Sequence, residues 1–146
     1  MFQSIVVGTD GSPTASEAVR QAAELARGLG ARVHLVSAYA PLSSVRVKGA
    51  GDAPESADWR VSADMNVERI LDDAASGLRG AGVDVESHAQ RGDPADAIIR
   101  VAEDENADLI IVGNKGMTGA KRFLLGSVPD KISHHAPCSV MIVRTT

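Results

Sequence analysis

The sequence is poor in cysteine and in aromatic residues. Of its 146 residues one is a cysteine, Cys138, and Phe, Tyr and Trp together make up 3%. A single cysteine cannot close an intramolecular disulfide or build a cysteine-rich zinc cluster. With so few aromatic rings, the chain has little to stack against unpaired bases. These shortages argue against a disulfide-stabilised scaffold, a zinc–cysteine module and a single-strand nucleic-acid binder.

An excess of positive charge and long hydrophobic runs are also missing. The chain has 15 Lys and Arg against 19 Asp and Glu, which gives a formal net charge of −4. A surface that neutralises many phosphates needs the opposite balance, so we expect no nucleic-acid partner. No apolar run approaches the length of a membrane span, and the strand-like segment from Ser4 follows no basic and apolar leader. We therefore expect a cytoplasmic protein with no membrane association.

Short runs rich in β-branched residues alternate with longer segments of helical periodicity. The runs are Ser4–Thr9, Arg32–Ala38, Val83–Gln90, Asp108–Gly113 and Ser139–Arg144. Such alternation is typical of βαβ units around a mostly parallel sheet. A chain of 146 residues can bury one core and is too short for two ordinary domains. The sequence thus predicts an α/β fold in which residues 1–146 form one domain.

The helices have recognisable starts. Ser12 and Asp93 each precede a proline, and this pair predicts an N-cap followed by the first helical residue. Apolar residues at three- and four-residue spacing predict a further helix over residues 61–81. Residues 41–58 are rich in Gly, Pro and small polar residues and predict a loop, either a lid over a ligand or a disordered segment.

A glycine-rich segment follows the fourth predicted strand. Two residues separate Gly113 from Gly116, and nine more separate Gly116 from Gly126. Glycine permits close approach of a ligand, and successive backbone N–H groups can form a nest for phosphate oxygens. Ser127 opens a helix in a Ser-x-x-Asp capping pattern with Asp130, which aims the positive helix end at the same place. The segment predicts a phosphate-binding loop; the alternative is a flexible connection with tight turns.

This Gly-x₂-Gly-x₉-Gly-Ser pattern resembles the nucleotide-binding signature of the ATP-binding branch of the universal stress protein family. The resemblance extends over nearly the whole chain, because Ile5–Ser12, Ala107–Gly113 and Leu125–Arg144 match the family in order. It implies a doubly wound, Rossmann-like or flavodoxin-like five-stranded sheet of order 3-2-1-4-5. It also implies a regulatory or stress-response role with bound ATP, and a homodimer through residues 139–144. Many relatives have Ser-Arg where this chain has Asn114-Lys115, a departure that bears on ligand preference more than on binding itself.

The expected strand order also predicts where a ligand binds. In the order 3-2-1-4-5 the connections leave strands one and four in opposite directions, and ligands collect at that switch point. The resemblance adds an adenine contact at the end of strand two. Asp10 has an alternative role, an Asx turn with Gly11. The expected ligand-binding residues are Gly8, Thr9, Asp10, Ala38, Gly113, Asn114, Lys115, Gly116, Gly119, Gly126, Ser127 and Val128.

Two alternatives to ATP-dependent regulation stay open. One is cyclic AMP as the ligand, because a glycine loop does not distinguish one phosphate from three. The other is slow ATP hydrolysis or phosphotransfer with Mg²⁺ in the same pocket. Against an enzyme, the chain has no Gly-x₄-Gly-Lys-Ser/Thr sequence, and Asp10 is the one carboxylate clearly placed near the phosphates. We assign no catalytic and no metal-binding residues from the sequence.

The histidines and the cysteine receive structural interpretations. His134 and His135 close a predicted helix, where positive charge complements the helix dipole. Cys138 enters a strand and is interpreted as a small buried hydrophobe. His34 and His88 lie on predicted strands without partners at metal-ligand spacing, so we interpret them as ordinary strand residues.

The two predicted edge strands differ in character. Residues 83–90 alternate between polar and apolar, as expected where one face meets water. Residues 139–144 are apolar on both faces and contain no Lys or Pro that would protect an edge. We therefore expect this strand to pair antiparallel with its copy in a homodimer. The alternative is coverage by another part of the same chain.

The glycine loop can be tested with a Gly116→Ala, Gly126→Ala double variant. We expect this variant to stay folded and to lose nucleotide, because two added methyl groups obstruct the approach of phosphate to the backbone. Calorimetric titration with ATP measures the affinity, and circular dichroism checks the fold. Normal binding by a folded double variant would show that the loop is not a phosphate nest.

Overall fold

The computed structural model describes residues 2–39, 53–114 and 125–145, without the side chains of residues 53–65. Strands and helices alternate along the chain. They are β1 (Ser4–Gly8), α1 (Pro13–Leu29), β2 (Arg32–Tyr39), α2 (Ala53–Gly80), β3 (Asp84–Arg91), α3 (Pro94–Asp104), β4 (Leu109–Gly113), α4 (Ser127–His135) and β5 (Ser139–Val143). The strands form one parallel sheet in the order β3-β2-β1-β4-β5. The predicted α/β fold and strand order are confirmed, and every strand end lies within one residue of its prediction.

The core consists of two apolar layers, one on each face of the sheet. Side chains of a strand point alternately to opposite faces. Ile5 and Val7 of β1 therefore pack in the layer under α1 and α2, whereas Val6 packs in the layer with α3 and α4. All three side chains are fully buried. Burial on both faces explains why β1 is a continuous apolar run rather than an alternating one.

Helix α2 is longer than its sequence pattern predicts. It begins at Ala53 rather than at residue 61, so the last part of the predicted loop 41–58 is helical. Pro54 does not oppose this start, because a proline in the first turn removes no intrahelical hydrogen bond. Residues 40–52 lie outside the described residues, so the role of the loop stays untested. In the described part of the chain, no helix combines the length and the apolar character needed to cross a membrane.

The predicted caps of α1 and α3 are confirmed. Oγ of Ser12 accepts a hydrogen bond from the Ala15 amide at 3.2 Å, and Oδ2 of Asp93 accepts one from the Asp96 amide at 3.1 Å. Each bond satisfies one of the amides that a helix N-terminus leaves unpaired. Gly30 then ends α1 in the left-handed conformation, with φ of 68°.

The predicted capping role of Ser127 is wrong. The N-cap of α4 is Gly126, whose carbonyl accepts a hydrogen bond from the Asp130 amide at 3.0 Å, and Ser127 is the first helical residue. Among the described residues, no side chain forms a capping hydrogen bond with this helix. The pattern predicted Ser127 as the N-cap, so the helix begins one residue earlier than predicted. Glycine is well tolerated at the N-cap position, which Gly126 occupies.

Both edge strands lie where the sequence predicts them. β3 has charged and polar side chains along its length, and only Val85 is buried. On β5, Met141 is 38% exposed and Ile142 is 39% exposed. The structure therefore leaves an apolar strand with exposed side chains at one edge of the sheet.

Candidate functional site

A crevice of about 270 Å³ lies at the carboxyl ends of β1, β2 and β4. The amino ends of α1, α3 and α4 form its rim, and it coincides with the switch point between β1 and β4, where open α/β sheets bind ligands. The lining residues are Gly8, Thr9, Asp10, Ser12, Thr14, Ala15, Val36, Ala38, Pro94, Ile98, Val112, Gly113, Ser127, Val128 and Pro129.

Gly8 forms the floor of the crevice where β1 ends. An ideal Cβ built on Gly8 would lie 2.5 Å from Cδ1 of Ile98 and 3.2 Å from its Cγ1. Real Cβ atoms essentially never approach another heavy atom within 3.0 Å, so any larger residue must displace the end of the Ile98 side chain. Because Ile98 lines the crevice and is itself buried, the absent side chain at position 8 determines the shape of the floor.

The turn after β1 is held by its own hydrogen bonds. The Thr9 amide donates to the Val36 carbonyl at 2.9 Å, and the Gly11 amide donates to Oγ1 of Thr9 at 3.2 Å. Oδ1 of Asp10 accepts from the Ser12 amide at 2.8 Å, which is the Asx turn that the sequence left as an alternative. One carboxylate oxygen of Asp10 is thus used within the protein. Gly11 takes a φ of 81°, which strongly favours glycine.

The opposite wall combines the end of β4 with the start of α4. Gly113 lies beside Ser127 and Val128, the first two residues of the helix. The first N–H groups of a helix have no partner within it, and the helix dipole adds positive potential there. An anionic group bound at this wall would therefore be stabilised by backbone donors.

Asn114 is placed differently from the prediction. It does not line the crevice; its amide donates to the Val143 carbonyl at 2.8 Å. Its Oδ1 accepts from the amide and from the hydroxyl of Thr145, both at 2.9 Å. The Gly126 amide donates to the Asn114 carbonyl at 3.0 Å, which ties the start of α4 to the end of β4. Asn114 therefore joins β4 to β5 and to α4, behind the crevice wall.

Seven predicted residues line the crevice, and three others cannot be placed. Lys115, Gly116 and Gly119 lie outside the described residues. The seven are Gly8, Thr9, Asp10, Ala38, Gly113, Ser127 and Val128. The sequence analysis missed Ser12, Thr14, Pro94 and Ile98 as lining residues. Ser12 and Pro94 could have been predicted from the sequence, because both stand at predicted helix starts. In a parallel sheet the helix starts lie at the same edge as the carboxyl ends of the strands.

The lining divides into an apolar side and a polar side. Val36, Ala38 and Ile98 supply the apolar side. The polar side has the Asp10 carboxylate together with hydroxyls such as those of Ser12 and Thr14, whose oxygens lie 3.2 Å apart. Such a lining suits a small molecule that has a flat apolar part at one end and hydroxyl or anionic groups at the other.

A larger groove of about 340 Å³ lies between α1 and α2. Arg20, Glu24, Arg27 and Asp73 border it, and Val19 and Leu78 form part of its apolar floor. The groove runs along two helices on one face of the sheet, and Thr9 is the one residue that lines both the groove and the crevice. We therefore assign the ligand site to the smaller crevice, which has the backbone donors and the switch-point position.

His34 and His88 are not ordinary strand residues, contrary to the sequence-based interpretation. Nδ1 of His34 lies 3.0 Å from Nε2 of His88 on the neighbouring strand, and Nε2 of His88 lies 3.6 Å from Oε2 of Glu86. Burial, and then the neighbouring His88, lower the pKa of His34, whereas Glu105 and Glu86 act in the opposite direction. The cluster was missed because it depends on the register between β2 and β3.

The structural interpretations of Cys138 and of the other two histidines agree with the structure. Cys138 is half-buried against the layer under α3 and α4. Burial, and then Asp108, raise the pKa of its thiol, which disfavours the thiolate. His134 and His135 lie in the last turn of α4, where positive charge complements the helix dipole.

Comparison with known proteins identifies relatives along the whole chain. A sequence model of the universal stress protein family matches residues 1–144. A universal stress protein of Mycobacterium tuberculosis is 38% identical over 146 residues, which cover 99% of this chain and 98% of that protein.

Two solved structures share both fold and sequence with this chain. A universal stress protein crystallised in complex with cAMP has a TM-score of 0.72 and 33% identity, and the match covers 99% of this chain and 98% of that one. A universal stress protein from Archaeoglobus fulgidus in complex with dAMP has a TM-score of 0.67 and 27% identity, with coverage of 97% and 98%.

The contact between Gly8 and Ile98 can be tested with a double-mutant cycle. Gly8→Ala should lower the free energy of unfolding by about 1–3 kcal/mol, because its methyl group overpacks the floor. Ile98→Val alone should cost about 0.5–1.5 kcal/mol, because it removes the Cδ1 methyl. Since that methyl is the atom nearest to the new Cβ, the double variant should be more stable than the sum of the two effects predicts. Urea unfolding measures all four proteins, and strict additivity would contradict the described packing.

Proposed function

The chain belongs to the universal stress protein family, and we propose that it binds an adenine nucleotide in the strand-end crevice and acts as a regulatory stress-response protein. The observation that carries this proposal is the crevice itself, which brings Gly8, Gly113 and the start of α4 around one space. The two relatives solved with cAMP and with dAMP support the same ligand class. In this proposal, binding of the nucleotide in the crevice would change the conformation of the protein or its choice of partner.

The lining suggests how such a ligand is oriented. We assign the adenine ring to the apolar side, against Val36 and Ala38 at the end of β2. The phosphate lies at the amino end of α4 beside Gly113, where helix amides and dipole favour negative charge. The ribose then lies near Asp10, whose second carboxylate oxygen accepts from a sugar hydroxyl. In this orientation the seven predicted lining residues all contact the ligand.

ATP is the ligand we propose first, and cyclic AMP is the second candidate. The spacing of glycines around residues 113–127 resembles the ATP-binding branch of the family. With ATP, an accompanying Mg²⁺ would be bound chiefly by the phosphates and water, since Mg²⁺ keeps several waters when it binds nucleotides. Cyclic AMP is favoured by the relative that was crystallised with it, at 33% identity.

The ligand can be identified by mass spectrometry of nucleotides released from purified, denatured protein, followed by calorimetric titration with ATP, AMP and cyclic AMP. We expect ATP to bind most tightly and turnover to be slow or absent in a hydrolysis assay. Preference for cyclic AMP would make the protein a receptor or buffer for that nucleotide. No binding of any of the three would contradict the proposed function.

The position of the base can be tested with Ala38→Leu. A larger side chain at Ala38, which is half-buried in the lining, should fill the adenine position and weaken binding more than about tenfold, or about 1.4 kcal/mol. Ala89→Leu is the matched control, because Ala89 lies next to β2 on β3, pairs with Ser37 and is exposed on the other face. Equal affinity of the two variants would contradict the assignment of the base to β2.

We also propose that two copies pair through β5, over residues 139–144. The strand lies at the sheet edge, and Met141 and Ile142 are more than a third exposed. An edge strand presents N–H and C=O groups that can pair with a second strand. Antiparallel pairing with its own copy would satisfy these groups by two-fold symmetry and bury the apolar side chains.

Ile142→Lys should convert the dimer into a monomer, because a charged side chain on an edge strand opposes pairing and would be buried in the interface. Sedimentation velocity measures the mass. Leu29→Lys is the control, since Leu29 is 43% exposed at the end of α1 and lies away from β5. A dimer that survives Ile142→Lys, or that is lost with Leu29→Lys, would place the interface elsewhere.

A further inference from the structure

The register of β2 and β3 brings two histidines and one glutamate together on one face of the sheet. His34 pairs with Glu86, and Val36 pairs with His88 two residues further on. One nitrogen of each histidine and one carboxylate oxygen of Glu86 all lie within 4.8 Å of one another. In the described part of the chain, this is the one group of three such side chains at that spacing.

The distances in this cluster match the spacing of ligands around a tetrahedral ion. Ligand atoms held about 2.0–2.1 Å from Zn²⁺ at tetrahedral angles lie about 3.3 Å from each other. Here Nδ1 of His34 lies 3.0 Å from Nε2 of His88, and that nitrogen lies 3.6 Å from Oε2 of Glu86. These two distances differ from that spacing by about 0.3 Å, and the third, between His34 and Glu86, is within 4.8 Å, so an ion would draw the Glu86 carboxylate closer. We propose that His34, Glu86 and His88 form a binding site for a divalent transition-metal ion, best suited to Zn²⁺.

The site has a rigid part and an adjustable part. His34 is 2% exposed on a strand that is paired on both sides, so its ring position is determined by the core. Glu86 lies on the edge strand with a side chain 43% exposed, and His88 is 13% exposed. Glu86 can therefore move toward an entering ion, while the buried His34 holds the ion in a fixed position.

Charged neighbours hold the glutamate and favour a cation. Nη1 of Arg32 lies 3.6 Å from Oε1 of Glu86, which leaves Oε2 directed at His88. Nε of Arg32 also contacts Oδ2 of Asp84 at 3.0 Å. Asp84 thus offsets the charge of Arg32, so the ligand Glu86 keeps its negative charge available for a cation. Such outer contacts orient the metal ligands and tune their affinity.

The ligand set selects the class of ion. Imidazole nitrogens suit Zn²⁺, Cu²⁺ and Ni²⁺, whereas Mg²⁺ and Ca²⁺ prefer sites made only of oxygen. Three protein ligands leave a fourth position for water. Without an ion, one of these two ring nitrogens carries a hydrogen and donates a hydrogen bond to the other across the 3.0 Å contact. Metal binding requires a lone pair on both nitrogens. The donor ring must therefore change tautomer, with its hydrogen carried by the other nitrogen of the same ring.

Zinc binding can be measured by calorimetric titration of the chelator-treated, nucleotide-free protein with ZnSO₄. We expect one ion per chain and a rise in Tm with zinc, because a ligand that binds only the folded state stabilises it. His88→Ala and Glu86→Gln should each weaken binding at least about tenfold. These two positions are partly exposed, so the variants should fold even if His34→Ala does not.

The control is the His134→Ala, His135→Ala double variant, which removes the two exposed imidazoles in the last turn of α4. It should bind zinc like the unaltered chain. Long-range ¹⁵N correlation spectra of the histidine rings should show coordination through Nδ1 of His34 and Nε2 of His88. Absence of stoichiometric binding, unchanged affinity in His88→Ala, or loss of binding in the control would overturn the proposal. Nucleotide binding by the zinc-free protein is a separate readout, so failure of this site leaves the proposed function untouched.

Discussion

The reversal of strand order between β1 and β4 is the constraint on which the rest of the structure depends. β1 pairs with β2 on one side and with β4 on the other, and its Ile5, Val6 and Val7 are fully buried. Crossover connections between parallel strands are right-handed. The helices following these strands must therefore leave toward opposite faces, and the ends of β1 and β4 border the crevice between them. The crevice follows from this topology.

Close packing and hydrogen bonding then give the crevice its shape. Gly8 provides the floor because a side chain there would strike Ile98, and Asp10 holds the turn above it by bonding to the Ser12 amide. Behind the wall, Asn114 joins β4 to the residues after β5. Asn114 thus supports the crevice from outside its lining, whereas Gly8 and Asp10 are lining residues held by contacts within the protein.

Alternate residues of β2 connect this crevice with the histidine cluster. His34, Val36 and Ala38 point to the same face of the sheet, and two of them line the crevice. The proposed metal site therefore lies two residues, or about 6.6 Å along the strand, from the proposed adenine position. An ion held by His34 would stiffen the strand that carries the base contacts. The two edge strands also differ, because polar β3 carries the histidine cluster whereas apolar β5 is the strand proposed to pair with a second copy.

The sequence by itself determined the parts that depend on local chemistry. Periodicity located the strands within one residue, and serine and aspartate before proline located the starts of α1 and α3. Seven lining residues of the crevice were predicted from the glycine spacing together with the family resemblance, which implied the strand order and the contact at Ala38. Only the tertiary structure decided the early start of α2, the cap at Gly126, the joining role of Asn114 and the meeting of His34 with His88. The physical reason is that contacts between strands depend on register, which arises from the packing of the whole sheet rather than from neighbouring residues.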